Sequence, residues 1–254
     1  MTAGGDLEQL DPSDVASFRA RREDVLGRIA AAARRSGRDP AAVRLVAVSK
    51  TVPAERLRPA VAAGLTVLGE NRVQEGEAKR PLVPGASWKL IGPLQSNKAR
   101  RALDTYDVIQ SVDSLELAAR LDRLADDFDP RAGGSRVRVP VLLQVNVDDD
   151  PAKAGFAPSD LEAALGAILE LPRLRVDGLM TVGRLVDEPE DARTTFRRLR
   201  ELSRRVRAAD PRLGPELSMG MSADFEVAIE EGATIVRVGR ALFGERAAPA
   251  GPTA

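Results

Sequence analysis

The sequence predicts an α/β protein folded as one closed (β/α)8 barrel, the TIM architecture, with an extra helix at its N-terminal side. Eight short runs rich in valine, leucine and isoleucine alternate with longer charged runs of helical period. The short runs are close to continuously apolar, as parallel strands are when both faces are covered. The 254 residues contain no composition break that would mark a linker, and a single barrel commonly reaches this length. A doubly wound open sheet shares the alternation and is the runner-up architecture.

Taken in chain order, an amphipathic helix is expected over about Ser13–Ser36, closed by Gly37, which can adopt the positive φ of a helix end. Strands follow at Arg44–Lys50, Thr66–Asn71, Ser87–Gly92, Val108–Asp113, Val139–Asn146, Val176–Val182, Glu216–Gly220 and Ile235–Gly239. Between and after them, helical runs are expected near Ala54–Ala63, Arg72–Arg80, Ser96–Leu103, Ser114–Phe128, Ser159–Leu171, Glu188–Ala209 and Ser222–Glu231, with a short last one from Arg240. Residues 13–246 are thus expected as one domain, with 1–12 and 247–254 as disordered tails and "DPRAGGSR" as a mobile loop before the fifth strand.

Composition narrows the chemistry mainly by what it lacks. The chain has no cysteine, so disulfides, thiolate nucleophiles and cysteine–zinc sites are excluded. It has no histidine either, which removes serine–histidine hydrolysis, histidine metal sites and the usual general base near neutral pH. Lysine, carboxylate, hydroxyl, arginine or a bound cofactor must do whatever is done. Lysine plus arginine number 38 and aspartate plus glutamate 38, so no overall field attracts nucleic acid or an anionic membrane. No apolar run approaches the roughly 20 residues of a membrane span, and the acidic start "MTAGGDLEQLDP" is unlike a signal peptide. A soluble cytoplasmic protein is expected, with neither nucleic acid nor membrane as partner.

In a (β/α)8 barrel the functional residues lie where the strands end. That rim reads Lys50, Glu70 and Asn71, Gly92, Asp113, Asn146, Thr181, Ser218 with Met219, and Gly239. The loops after strands seven and eight, where many barrels bind phosphate, read "SMGMSA" and "RVGRALFG". Their glycines permit close backbone approach, Ser218 and Ser222 offer hydroxyls, and the amides of Gly239 and Arg240 open a helix. Turn chemistry alone would also explain those glycines, and a lysine at a strand end is often only solvated. Together, a rim lysine, a phosphate cradle and the lack of other catalytic groups suggest an aldehyde cofactor carrying a phosphate, for which pyridoxal 5'-phosphate (PLP) fits.

The same residues carry a family resemblance. "LVAVSKTVPAERLRPAVAAGLTVLGENRVQEGEAK", "WKLIGPLQSNKAR", "SVDSLELA", "VLLQVNVDDDPAKAGF", "GLMTV" and "LSMGMSADFEVAIEEGATIVRVGRALFGER" closely resemble the PLP homeostasis proteins, in order and at matching spacing over about residues 15–246. The resemblance implies a barrel like the N-terminal domain of alanine racemase. It further implies that Lys50 forms the internal aldimine with PLP, that Asn71 lies beside the cofactor, and that Ser218, Ser222, Gly239 and Arg240 cradle the phosphate. Arg237 would face the pyridine nitrogen, and Lys153 would be a second lysine near the site; the plainer alternatives are a strand-interior ion pair for Arg237 and a surface lysine for Lys153.

An arginine against the ring nitrogen keeps that nitrogen unprotonated and weakens the ring as an electron sink. This suits racemase-type proton transfer or storage. Racemisation needs an acid/base group on each face of the substrate carbon. The only tyrosine, Tyr106, precedes strand four and is expected at the end of the barrel opposite the rim. The expected function is therefore intracellular PLP homeostasis, binding PLP and buffering it or delivering it to PLP-dependent apoenzymes, without strong catalysis and as a monomer. The alternatives are a racemase-like PLP enzyme, or a sugar-phosphate isomerase or aldolase with Lys50 in a Schiff base to substrate. Partial burial and a nearby cation, Arg237, are expected to lower the Lys50 pKa. One departure from the family pattern is Lys89, in "WKLIG", where a histidine is usual; its side chain is expected to point outward among the helices, away from any competition with Lys50.

Overall fold

In a computed structural model, residues 10–125, 138–184 and 186–244 are described. The strands are β1 (Arg44–Val48), β2 (Val67–Glu70), β3 (Ser87–Leu90), β4 (Val108–Val112), β5 (Val139–Gln144), β6 (Leu174–Met180), β7 (Glu216–Ser218) and β8 (Ile235–Val238). They close in sequence order into one barrel, and every neighbouring pair is parallel. β1 pairs with both β2 and β8, which decides between the two architectures, since an open doubly wound sheet leaves two edges unpaired.

The helices are α1 (Pro12–Arg35), α2 (Ala54–Ala62), α3 (Val73–Lys79), α4 (Ala99–Thr105), α5 (Leu115–Ala125), α6 (Pro158–Leu169), α7 (Arg193–Ala209), α8 (Phe225–Glu230) and α9 (Arg240–Phe243). α1 starts at Pro12, slightly ahead of the expected Ser13, because the Asp11 side chain accepts the Ser13 N–H at 2.8 Å and caps it, with proline suited to the first turn. It ends at Arg35, with Gly37 at φ +69° just beyond. The rim ends of most strands are one or two residues shorter than the apolar runs, and β6 is shifted toward the N-terminus. A single 3-10 turn, Pro189–Ala192, occupies the start of the long run expected from Glu188. Of the expected tail 1–12, residues 1–9 lie outside the described residues, as do 247–254 and the loop "DPRAGGSR", while Pro12 already belongs to α1.

Side-chain alternation divides the apolar residues into two layers. Val46, Leu142, Met180 and Ile235 pack inside the barrel, joined by Val67 and Val182. Their strand neighbours, among them Ala47, Leu68, Trp88, Leu143, Leu179 and Val236, face outward into the larger layer between sheet and helices. Among the described residues, no helix is long and apolar enough to cross a membrane.

Candidate functional site

Lys50 is carried past the end of β1 on a tight turn, Ser49 to Val52, closed by the Val52 N–H donating to the Ser49 carbonyl at 3.0 Å. Thr51 occupies the third position at φ +66°, the geometry of a type II turn, in which glycine is normal. A β-branched residue there is strained, at a cost of about 1–3 kcal/mol. The strain sits directly beside the lysine.

What holds that turn is a buried polar cluster on the outer side of the sheet. Glu70 Oε1 accepts the Ser49 hydroxyl at 2.7 Å and the Lys79 ammonium at 2.8 Å. Lys79 also donates to the Ser49 carbonyl at 2.9 Å, and Glu75 Oε2 accepts the Thr51 N–H at 3.3 Å. The residues on both sides of Lys50 are therefore pinned from α3. Glu70 is fully buried, and burial pushes its pKa up to about 7 against the pull of Lys79 and Ser49. Its Oε2 accepts no hydrogen bond among the described residues, while Glu75, despite its own burial, is held below the ordinary carboxylate range by Glu70, the Thr51 N–H and Lys79. A proton on Glu70 Oε2 shared toward Glu75 accounts for both facts. Glu70, first placed on the rim, thus faces the helix layer and acts on the lysine's turn from behind.

Asn71 lies at the end of β2, next to β1, with its backbone pressed on Gly92. A Cβ at Gly92 would stand 2.3 Å from the Asn71 carbonyl oxygen, so only glycine fits. On the other side of β1, the β8 end brings up Gly239, where a Cβ would meet Val48 at 3.3 Å. Gly239 donates its N–H to Ser222 Oγ at 3.1 Å and precedes α9, whose first N–H groups have no acceptor within their own helix. The exposed Arg240 begins that helix.

Arg237 and Ser218 lie deeper. Arg237 is 4% exposed and points into the barrel, donating to Ser218 Oγ and to the Thr181 carbonyl, each at 2.7 Å. Burial lowers its pKa to about 10, with buried Asp224 opposing, so it stays charged. The Ser218 hydroxyl gives its own proton to Gln110 Oε1 at 2.7 Å, so in this arrangement it serves Arg237.

Lys153 stands across the mouth, in the loop after β5, which is four strands from β1 in the barrel. That loop is fastened by Asn146 Nδ2 donating to the Asp150 carbonyl at 2.8 Å and Gln144 Nε2 to the Ala154 carbonyl at 2.7 Å. The Lys153 ammonium is buried and ion-paired with Asp150 Oδ2 at 3.5 Å, without a short hydrogen bond among the described residues.

Two expectations change. The Tyr106 hydroxyl reaches back up the outside of the barrel to donate to the Arg72 carbonyl at 2.9 Å, two residues beyond β2. It is therefore near the rim end but outside the wall, and burial, with the charge of Glu70, pushes its pKa upward. Lys89 alternates with the outward Trp88 and Leu90 and so points into the barrel, at its N-terminal end, where it joins Val46, Val67 and Leu142 around a cavity. Thr51, Glu75, Lys79, Gln110 and Asp224 were missed in the sequence. Only the Glu75–Lys79 spacing, one helical turn, and a glutamate interrupting the apolar second strand signalled part of the cluster.

Among the described residues, no group of histidine, cysteine or acidic side chains could hold a metal ion. The family described as "Alanine racemase, N-terminal domain" matches residues 26–247. A pyridoxal phosphate homeostasis protein of Pseudomonas aeruginosa is 46% identical over 225 residues, 87% of this chain and 93% of that one. The protein of the same name from Aquifex aeolicus is 43% identical over 224 residues, 87% of this chain and 95% of its own. The solved structure of PipY from Synechococcus elongatus with PLP bound superposes at a TM-score of 0.76 with 39% identity, covering 89% of this chain and all of that one.

Proposed function

The chain belongs to the family of pyridoxal phosphate homeostasis proteins, within the alanine racemase N-terminal domain family, and on that premise we propose that it binds PLP at the C-terminal mouth of its barrel for intracellular homeostasis. PLP supplies an aldehyde to an amine and a phosphate to a cradle. The residues fit both. Lys50 takes the aldehyde covalently through its amine. Ser222, Gly239 and Arg240, at the opening of α9, receive the phosphate, with Gly239 bringing their backbone against the end of β1. Arg237 stays charged and faces the ring nitrogen, Ser218 fixes its guanidinium, and Asn71 borders the ring. Lys153, its buried amine held only by the 3.5 Å ion pair to Asp150 among the described residues, is a second polar contact for the incoming or leaving cofactor. The role is buffering and delivery to apoenzymes by a cytoplasmic monomer.

The observation that carries this reading is the pinned turn: strain at Thr51 is tolerated because Glu75 and Lys79 hold the backbone on either side of Lys50 and Glu70 holds the Ser49 hydroxyl. A site built only for a solvated rim lysine has no need of it. A racemase role lacks support because Tyr106 stands outside the wall with its proton on the Arg72 carbonyl.

The test is spectroscopic. Purified protein incubated with PLP should develop a visible band, and borohydride should fix the adduct on the peptide containing Lys50. A Lys50→Ala variant that keeps the same band and adduct peptide would refute the assignment. Exchange of the α-proton of any amino acid at a useful rate would promote the racemase reading.

A further inference from the structure

The opposite end of the barrel holds a cavity of about 330 Å³, within the size range of small-ligand sites. Its walls are the inward side chains Val46, Val67, Val108, Leu142 and Ile235, with Leu26 of α1 beside it. Three cations line it, Arg22, Arg44 and Lys89, against two acids, Asp177 and Glu216, a surplus of one positive charge. Both acids are already claimed: Glu216 pairs with Arg44, and Asp177 Oδ1 accepts Arg175 Nε at 2.6 Å. Arg22 Nε donates to the Gly64 carbonyl. The hydrogen bond of the Lys89 ammonium is to a neutral hydroxyl, Ser87 Oγ, at 3.0 Å. That hydroxyl spends its proton on Asp107, which is further occupied by the Trp88 N–H and by Arg80.

We propose that this N-terminal mouth is a second ligand site, which takes a compact monocarboxylate with an apolar body, the carboxylate on Lys89 and the body in the barrel interior. Burial holds the Lys89 amine below the ordinary lysine range, with Asp107 and Asp177 only partly offsetting it. An incoming carboxylate supplies the counter-charge that the neutral Ser87 hydroxyl does not. A phosphate is disfavoured, because in this architecture the helices point their C-terminal, negative ends at this mouth and only one surplus cation faces it. The chemistry is binding, since reactive groups of such barrels gather at the other rim. Gln110, 1% exposed, lines the cavity and accepts the Ser218 hydroxyl, which in turn accepts from Arg237, so one hydrogen-bonded chain joins the two ends.

The proposal stands apart from the PLP reading and is tested apart from it, by calorimetric titration of 4-methylpentanoate into the purified protein. Saturable binding with Kd on the order of 1 mM or tighter is expected. Lys89→Met should weaken it at least about tenfold, and Lys89→Arg should keep it within a fewfold of wild type, since the charge is retained. Lys50→Ala should leave it unchanged. Should Lys89→Met not fold, Val67→Phe fills the cavity while keeping the lysine and is expected to abolish binding. Absence of saturable binding to the wild type, equal affinity in Lys89→Met, retained affinity in Val67→Phe, or loss in Lys50→Ala overturns the site.

Discussion

Thr51, at φ +66°, gives the residue scale its clearest prediction. Glycine relieves the strain but adds chain entropy to the unfolded state, so Thr51→Gly should be neutral or stabilising by at most about 1 kcal/mol in urea denaturation. Thr51→Pro cannot reach that φ and removes the N–H held by Glu75; it should cost about 3 kcal/mol or more and abolish the proposed Lys50 adduct. Glu70 predicts a pH dependence. Its folded pKa, about 7, lies above the ordinary 4.5, so the folded chain holds this proton more tightly than the unfolded chain does. Its contribution is complete below 4.5 and is lost as pH rises through about 7. Glu75 shifts the other way, and comparison with Glu70→Gln isolates the Glu70 part. Wild type should lose stability relative to that variant across this window, by about 1.4 kcal/mol per pH unit at the steepest, read from urea midpoints at several pH values.

The elements follow directly from the sequence, while their faces follow less directly. The apolar runs and the Gly37 stop locate strands and helices because period and turn chemistry are local properties. Direction of a side chain within a short strand is not, and that is why Lys89 was expected outside and Glu70 on the rim. Each strand has only a few residues, and the register slips by one residue in β4 against β5 and in β6 against β5, which shifts the alternation there. Tyr106 shows the same limit, since its backbone lies before β4 while its hydroxyl reaches the loop after β2. Where two elements touch through glycine the prediction is definite: Gly92→Ala places a Cβ 2.3 Å from the Asn71 carbonyl oxygen. The strand ends must part, at a cost of about 1–3 kcal/mol, and PLP should bind more weakly in a spectral titration as Asn71 is displaced.

For the whole molecule, barrel closure makes stability indivisible. α1 belongs to the helical ring, since Phe18, Val25 and Ile29 are buried, Phe18 packs edge-on against Phe243 of α9 at 5.8 Å, and Arg28 pairs with Glu226 of α8 at 2.9 Å. Ile29→Ala should cost about 2–5 kcal/mol. Fluorescence of the single tryptophan, Trp88, buried in β3, should report the same thermal midpoint as far-UV circular dichroism. Separate midpoints would show that α1 unfolds by itself. The sequence alone determined the count and order of the strands, the chemistry left when histidine and cysteine are absent, and Lys50 at the end of the first strand, because each depends on composition or on neighbours along the chain. Only the tertiary structure decided that Lys50 rides a strained turn held by Glu70, Glu75 and Lys79, that Ser218 serves Arg237, and that Lys89 faces a cavity at the far end. Those relations join residues far apart in the chain, and no local period encodes a contact that exists only once the barrel has closed.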